Sequence, residues 1–229
     1  MPTRGTAAAR PQIPTVACIN RAETPLGVDF DKLVRALQKF VDDHLAPVWG
    51  TPAKLVKATK PPRGAWVLVF LESADKKHLK DFGYHQFFKG QPIARVFVGS
   101  TIGKEPISLV ASHELAEMLV NPGCNLWALG RGNRLYSYEI CDAVEEEKFK
   151  IDRLAMSDFV YPAYFEGHRK PKSAQFDHLK RITRPFQLLK RGYARVRKGE
   201  KPKSMFGTTP KQRHFAKEDR RLHRTESMR

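Results

Sequence analysis

Apolar side chains recur every three to four residues between Asp29 and Leu45, with polar residues on the intervening positions. This spacing predicts an amphipathic helix, because residues three or four apart share one helix face. Asp29 is a plausible N-cap, and we expect the helix to end before Pro47, which lacks a backbone N–H donor. The apolar positions are Phe30, Leu33, Val34, Leu37, Phe40, Val41 and Leu45.

Four short segments, at residues 14–19, 54–59, 65–71 and 93–98, are predicted to form strands. The run at 65–71, Ala-Trp-Val-Leu-Val-Phe-Leu, is continuous, which is typical of a central strand buried on both faces. A second helical pattern covers residues 106–120 and stops at Asn121-Pro122-Gly123. The order of strands and helices predicts an α/β (α+β) domain with a small mixed sheet.

The pattern of apolar and polar residues becomes less regular after Asn121. Residues 123–133 are expected to form a loop, and 135–144 either a strand or an irregular segment that carries ligands. A short amphipathic helix is predicted around Phe176, Leu179 and Ile182. Beyond Gly192 the few apolar residues are scattered among charges. We therefore expect an N-terminal arm at 1–11, one domain at 12–168 and a basic C-terminal extension at 169–229.

Size and cysteine content narrow the class of protein. The 229 residues are enough to bury a core, and the three cysteines, which form no C-x-x-C pair, do not indicate a disulfide scaffold or a zinc ribbon. No stretch approaches the ~20 apolar residues of a membrane span, and the first residues lack the apolar segment of a secretory signal. We expect a soluble protein from a reducing compartment, with no membrane partner.

The net charge of +17 is concentrated in one region. Residues 1–168 contain 21 Lys and Arg against 19 Asp and Glu, whereas residues 169–229 contain 20 against 5. The positive charge of residues 169–229 is larger than solubility requires and would attract a polyanion strongly at low salt. We expect residues 169–229 to contact nucleic acid or neighbouring protein subunits, although a solvated segment without a partner has the same composition.

The helix predicted at 106–120 contains His113-Glu114-Leu115-Ala116-Glu117. Positions 113 and 117 share one face, and the apolar positions Ile107, Ala111, Leu115 and Met118 fall on the other, so one face can pack while the other is left for chemistry. An imidazole and a carboxylate four residues apart can bind one ion. Zinc is the expected metal. Because Glu117 takes the place of a second histidine, the site is harder and more anionic, and calcium or manganese fit it better than they fit a two-histidine site.

Further ligands and a general base are also available. The segment 138–145 offers Glu139 or Asp142 as a third ligand, and the sequence does not decide between an extended and a helical form for it. Glu114, adjacent to His113, is placed to act as general base toward metal-bound water. The alternative to a metal site is a surface helix on which His113 and Glu117 form an incidental ion pair.

Two other groups could take part in chemistry. His85 could polarise a carbonyl at the rim of the site, with Tyr84 as a hydrogen-bond donor, although residues of this kind are more often simply partly buried aromatic side chains. A thiolate nucleophile from Cys124 or Cys141 paired with His113 is a weaker alternative, because nothing in the sequence positions a thiolate or an oxyanion hole.

Two motifs of the sequence resemble motifs of known protein families. They are Ser112-His113-Glu114-Leu115-Ala116-Glu117-Met118-Leu119-Val120-Asn121-Pro122 and Tyr138-Glu139-Ile140-Cys141-Asp142-Ala143-Val144-Glu145. Together with the element order they resemble the zincin metallopeptidase fold, and more narrowly the uncharacterised zincin-like proteins of tailed phages and prophages. They are also similar to plant phosphate-induced (exordium-like) proteins. The resemblance covers residues 83–162, about a third of the chain.

This resemblance implies a function. His113 and Glu117 would be metal ligands, Glu139 or Asp142 the third ligand, and Glu114 the base of a metal-dependent peptidase in which the edge strand before the helix binds the substrate backbone. It further implies a virion-associated component, found in the virion or the host cytoplasm. The missing second histidine departs from most zincin peptidases, so the alternative is an inert structural virion protein with the same fold.

Overall fold

The protein adopts a mixed α/β fold in a computed structural model that describes residues 13–73, 82–199 and 201–207. Within these ranges the strands are β1 (Thr15–Asn20), β2 (Lys54–Lys57), β3 (Trp66–Leu71), β4 (Gly83–Phe88), β5 (Gln91–Phe97), β6 (Trp127–Gly130), β7 (Arg134–Ser137), β8 (Lys148–Ile151), β9 (Leu154–Ser157), β10 (Tyr193–Arg197) and β11 (Pro202–Phe206). The α-helices are α1 (Phe30–Lys39), α2 (Ala46–Trp49), α3 (Val98–Thr101) and α4 (Ile107–Val120).

Five strands form the main sheet, in the order β2-β1-β3-β5-β4. All pairs are parallel except β4 with β5, which is antiparallel and places β4 at the edge. The apolar run in β3 occupies the centre, as expected for a strand that is buried on both faces. Leu68 and Phe70 face the main core with the helices, whereas Val67 and Val69 face a smaller cluster on the other side.

The first helical region starts after Asp29, whose carboxylate accepts a hydrogen bond from the backbone N–H of Lys32. It does not end before Pro47. A π-helical segment, Phe40–Leu45, connects α1 to α2, and Gly50 ends α2 in a left-handed conformation with φ 67°. Pro47 is tolerated because it lies in the first turn of α2, where its missing N–H is not needed.

The second half of the chain is more regular than its sequence suggests. Strand β6 lies where a loop is predicted, whereas β7 falls at the start of the segment for which a strand is one of the two expectations. The two strands form a hairpin and join β10 and β11 in an antiparallel sheet of order β11-β10-β7-β6. Strands β8 and β9 form a separate hairpin, which is attached to α4 by a hydrogen bond from the Ser157 backbone N–H to the Ser112 hydroxyl oxygen, at 2.8 Å.

The helix predicted around Phe176, Leu179 and Ile182 is absent from the described structure. Instead, the Asp177 carboxylate accepts hydrogen bonds from the backbone N–H groups of Arg181 and Ile182, an arrangement that competes with helix formation. Phe176 and Ile182 belong to the main core, and β10 pairs with β7. The fold therefore continues past the expected boundary at residue 168 as far as residue 207.

The arm predicted at residues 1–11 and the end of the basic extension, residues 208–229, lie outside the described residues. Among the residues that are described, no helix has the length and apolar character needed to cross a membrane.

Asp158 gives the fold a pH dependence that can be measured. Its side chain is fully buried, and burial, together with the neighbouring carboxyl of Asp177, raises its pKa from 3.8 to about 8. Between these two values the folded state holds a proton that the unfolded state releases. The contribution of Asp158 to the free energy of unfolding therefore falls as pH rises from 4 to 8, by at most about 1.4 kcal/mol per pH unit.

Asp158→Asn should remove this contribution, because the amide does not titrate yet keeps an oxygen that can accept from the backbone N–H groups of Phe159 and Leu179. Urea unfolding between pH 5 and 9 should show a shallower decline in stability for the variant than for the wild type. Asp31→Asn, at an exposed carboxylate, is the control and should follow the wild type. Parallel curves for wild type and Asp158→Asn would contradict the assignment.

Candidate metal centre

Three parts of the fold bring acidic and imidazole groups together. Helix α4 supplies His113, Glu114 and Glu117, and edge strand β4 supplies His85. The segment that follows β7 supplies Glu139, Asp142 and Glu145, with a 3₁₀ helix at Asp142–Val144. The cluster therefore depends on the antiparallel edge of the main sheet and on the chain that leaves the second sheet.

Helix α4 begins and ends as predicted, but it is not amphipathic in its environment. Thirteen of its fourteen residues are buried, and only His113 is partly exposed. The predicted apolar face, with Leu115 and Met118, is in the core as expected. The opposite face is covered by β4 and by the segment after β7, so the expectation of a face left free is wrong. As a result the acidic groups lie inside the protein.

His113 lies between carboxylates from two separate segments. Its Nε2 atom is 3.4 Å from Glu117 Oε1 and 3.4 Å from Asp142 Oδ1, and its Nδ1 atom is 3.8 Å from Glu145 Oε2. The side chain of His113 is 12 % exposed and that of Glu145 is 34 % exposed, so this end of the cluster reaches solvent. The structure thus brings together three of the predicted metal ligands.

His85 is in the middle of the cluster and not at its rim. The side chain is fully buried, with Nδ1 3.6 Å from both Glu114 Oε2 and Glu117 Oε2, and Nε2 3.6 Å from Glu139 Oε2. Neither ring nitrogen has a partner within hydrogen-bonding distance. The predicted role of His85 at the rim of the site is therefore corrected, because position 85 on β4 points inward.

Tyr84 points to the other face of β4 because successive side chains of a strand alternate. Its ring packs against Phe97 at 5.6 Å and beneath the guanidinium of Arg95 at 5.2 Å. The structure does not bring Tyr84 to the cluster, which argues against the predicted role as a hydrogen-bond donor to substrate.

The two alternatives for the third ligand are both present, at different histidines. The segment after β7 is neither a strand nor a helix throughout, so Glu139 lies at His85 and Asp142 lies at His113. Glu117 connects the two histidines: Oε1 faces His113 and accepts from the Cys141 N–H at 3.2 Å, and Oε2 faces His85.

The electrostatics of the cluster favour a bound cation. Burial raises the pKa of Glu117 to about 7, with a further contribution from the carboxylate of Asp142. Burial alone would lower the pKa of His113, but Glu117, Cys141 and Glu145 outweigh it and raise the pKa well above 6.5. Burial alone would also lower the pKa of His85, but its neighbours Cys124 and Glu139 outweigh this effect and raise the pKa. The crowded carboxylates thus attract positive charge, as a proton or as a metal ion.

Three sets of ligand atoms are close enough to hold an ion: His113 with Asp142 and Glu145, His85 with Glu114 and Glu117, and His85 with Cys124 and Glu139. In each set the atoms lie within 4.8 Å of one another. No set within the described residues contains both histidines. Sequence reasoning did not assign Glu145 or Cys124 as ligands. The i,i+3 spacing of Asp142 and Glu145 is the one signal that could have indicated Glu145.

Cys141 is a poor nucleophile in this setting. It is fully buried, its thiol donates to the backbone oxygen of His113 at 3.8 Å, and burial raises its pKa well above 9. Attack on a substrate requires the thiolate form of the side chain, and this environment disfavours that form. This finding argues against the pairing of Cys141 with His113 considered from the sequence.

No family model matches the chain, and searches of curated proteins and of solved structures return no match. What the centre can do therefore follows from its own geometry.

Gly83 determines where Glu114 lies. A Cβ atom at this position would be 2.7 Å from the backbone oxygen of Arg95 and 2.8 Å from Glu114 Cγ. Both distances are too short for carbon, so only glycine lets the Glu114 side chain lie against β4.

Gly83→Ala should displace Glu114 or β4 and lower the free energy of unfolding by about 1–3 kcal/mol, the usual cost of overpacking a tight interior. Urea unfolding measures this loss. In the control Gly167→Ala, the added methyl group meets nothing closer than 3.3 Å, at the ring of Phe186, and a smaller loss is expected. Equal losses in the two variants would show that the contact with Glu114 has no special cost.

Proposed function

We propose that the protein is a metal-dependent hydrolase of zincin-like arrangement, acting on peptide bonds, with the ion held by His113, Glu117 and Asp142. The observation that carries the proposal is the pair of 3.4 Å distances from His113 Nε2 to Glu117 Oε1 and Asp142 Oδ1. Nitrogen and oxygen ligands about 2.0–2.1 Å from a tetrahedral zinc ion lie about 3.3–3.4 Å apart. The His113–Glu117 pair and the His113–Asp142 pair are therefore each spaced as two ligands of one zinc ion are.

The surroundings of His113 also suit a metal ligand. If Nε2 held the ion, Nδ1 would face Glu145, which is 3.8 Å away, and a carboxylate behind a ligating histidine fixes the orientation of the ring. The partial exposure of His113 and Glu145 provides the side from which a substrate approaches. A bound zinc ion would supply Lewis acidity and lower the pKa of a coordinated water molecule toward neutrality.

The residues of the chain would supply the remaining chemistry. Glu114 is assigned as the general base, which accepts a proton from the attacking water and passes it to the leaving amine. Its side chain lies against Gly83 of β4, and its Oε2 atom is 3.6 Å from Nδ1 of His85. Edge strand β4 is antiparallel to β5, and its outer edge is assigned to binding the backbone of an extended peptide.

Glu114→Gln should lower hydrolysis of an unstructured protein substrate by a factor of about 10² or more, because the amide cannot accept the proton. Zinc content should be unchanged, since Glu114 is not among the proposed ligands. The control Glu146→Gln alters an exposed carboxylate that pairs with Arg191 and should keep full activity. Hydrolysis by Glu114→Gln at the wild-type rate would remove the catalytic assignment while leaving the metal site in place.

A second candidate function is structural. The near-complete burial of His85, Glu114, Glu117 and Glu139 suits an ion that stabilises the fold without turnover. In this proposal the protein is an inert component of a phage-related assembly, and its basic C-terminal region contacts nucleic acid or neighbouring subunits. The proposal is supported by the excess of 20 Lys and Arg over 5 Asp and Glu in residues 169–229.

Truncation after Gly207 tests the nucleic-acid contact without cutting β10 or β11. It removes seven Lys and Arg residues and three acidic ones. If these residues contact phosphates, the truncated protein should bind duplex DNA more weakly, and its affinity should fall less steeply with salt than that of the full chain, because fewer counterions are released. Identical salt slopes, measured by fluorescence anisotropy, would exclude this segment from the contact.

A further inference from the structure

The proposed ion at His113 does not account for His85. This side chain is fully buried, and neither of its ring nitrogens has a hydrogen-bond partner. Three carboxylates lie 3.6 Å from these nitrogens, beyond hydrogen-bonding distance. Burying a polar group without a hydrogen bond is costly, and exceptions in folded proteins call for an explanation such as a bound ion. No set of mutually close ligand atoms in the described residues joins His85 to His113, so one ion does not serve both.

Cys124 and Glu139 lie next to His85. A ring nitrogen of His85, the Cys124 sulfur and a Glu139 carboxylate oxygen are within 4.8 Å of one another, and all three residues are buried. They come from three separate parts of the chain: β4, the turn after α4 and the segment after β7. The Cys124 sulfur is 3.5 Å from the backbone oxygen of His85, which holds it against the edge strand.

The two nitrogens of His85 face different surroundings. Nε2 is 3.6 Å from Glu139, within the range of about 3.3–3.8 Å that separates nitrogen, oxygen and sulfur ligands around one zinc ion. Nδ1 faces the carboxylates of Glu114 and Glu117 at 3.6 Å. A histidine that ligates zinc through one nitrogen usually directs the N–H of the other toward a carboxylate. The ring of His85 has both features.

We propose that His85 Nε2, Cys124 Sγ and Glu139 form a second metal site that binds zinc and ties edge strand β4 to the two segments that follow α4. A thiolate ligand favours zinc over calcium or manganese, whereas the carboxylate-rich site at His113 is harder. Binding releases the Cys124 proton and the Nε2 proton of a protonated His85 to solvent, and the freed lone pairs of sulfur and nitrogen form the bonds to the ion. The proposal of this second site does not rest on the hydrolase function proposed above.

Cobalt titration of the metal-free full chain under reducing conditions tests the second site. Cobalt bound to a thiolate gives a charge-transfer absorption in the near ultraviolet, which nitrogen and oxygen ligands do not give. The wild type should show this absorption and bind about two equivalents, one per site. Cys124→Ser should lose the absorption and one equivalent. His113→Ala should keep the absorption and lose the other equivalent.

The other two cysteines provide matched controls. The Cys18→Ser/Cys141→Ser double variant leaves Cys124 as the only thiol of the chain and should keep the absorption. This variant also decides the question if Cys124→Ser fails to fold, as monitored by circular dichroism. Absence of the absorption in the wild type or in the double variant would overturn the second site. A different result is that the absorption is present but His113→Ala binds as many equivalents of cobalt as the wild type. This result would contradict the ion proposed at His113 and leave the second site in place.

Discussion

Repulsion between buried carboxylates is the constraint around which this structure is arranged. Glu114, Glu117, Glu139 and Asp142 are each at most 6 % exposed, and they surround two imidazoles in the interior. Charges of one sign cannot be buried together at neutral pH unless protons or cations compensate them. Burial, together with the repulsion from Asp142, raises the pKa of Glu117 to about 7. A divalent ion at each histidine would relieve it and would explain why so many ligand-type groups occupy a core.

Glu117 links the two halves of the cluster. One of its oxygens faces His113 and accepts from the backbone of Cys141, while the other faces His85. Each histidine has one nitrogen near the ligand atoms of a proposed ion and the other directed at a carboxylate. Occupancy of one site therefore changes the charge that the other site experiences through Glu117, so the two sites are expected to be coupled electrostatically.

The sequence allowed some elements to be predicted well. The central position of β3 follows from its uninterrupted apolar run, and the limits of α4 follow from Pro106 and from Asn121-Pro122-Gly123. Strand β4 was missed because its short segment, Gly-Tyr-His-Gln-Phe-Phe, lacks a regular alternation of apolar and polar residues. Strands β10 and β11 were missed because their charged residues suggested a solvated tail, whereas pairing with β7 stabilises them.

The sequence by itself determined that His113 and Glu117 would lie side by side, because residues four apart share a helix face at any position in a protein. It also determined which chemical groups were available in the segment 138–145. Only the tertiary structure decided that His85 joins them, that Glu139 and Asp142 go to different histidines, and that Cys124 lies beside His85. These placements depend on contacts between residues about 29 to 54 positions apart, which no local spacing encodes. They arise from the antiparallel addition of β4 and from the irregular path of the chain after β7.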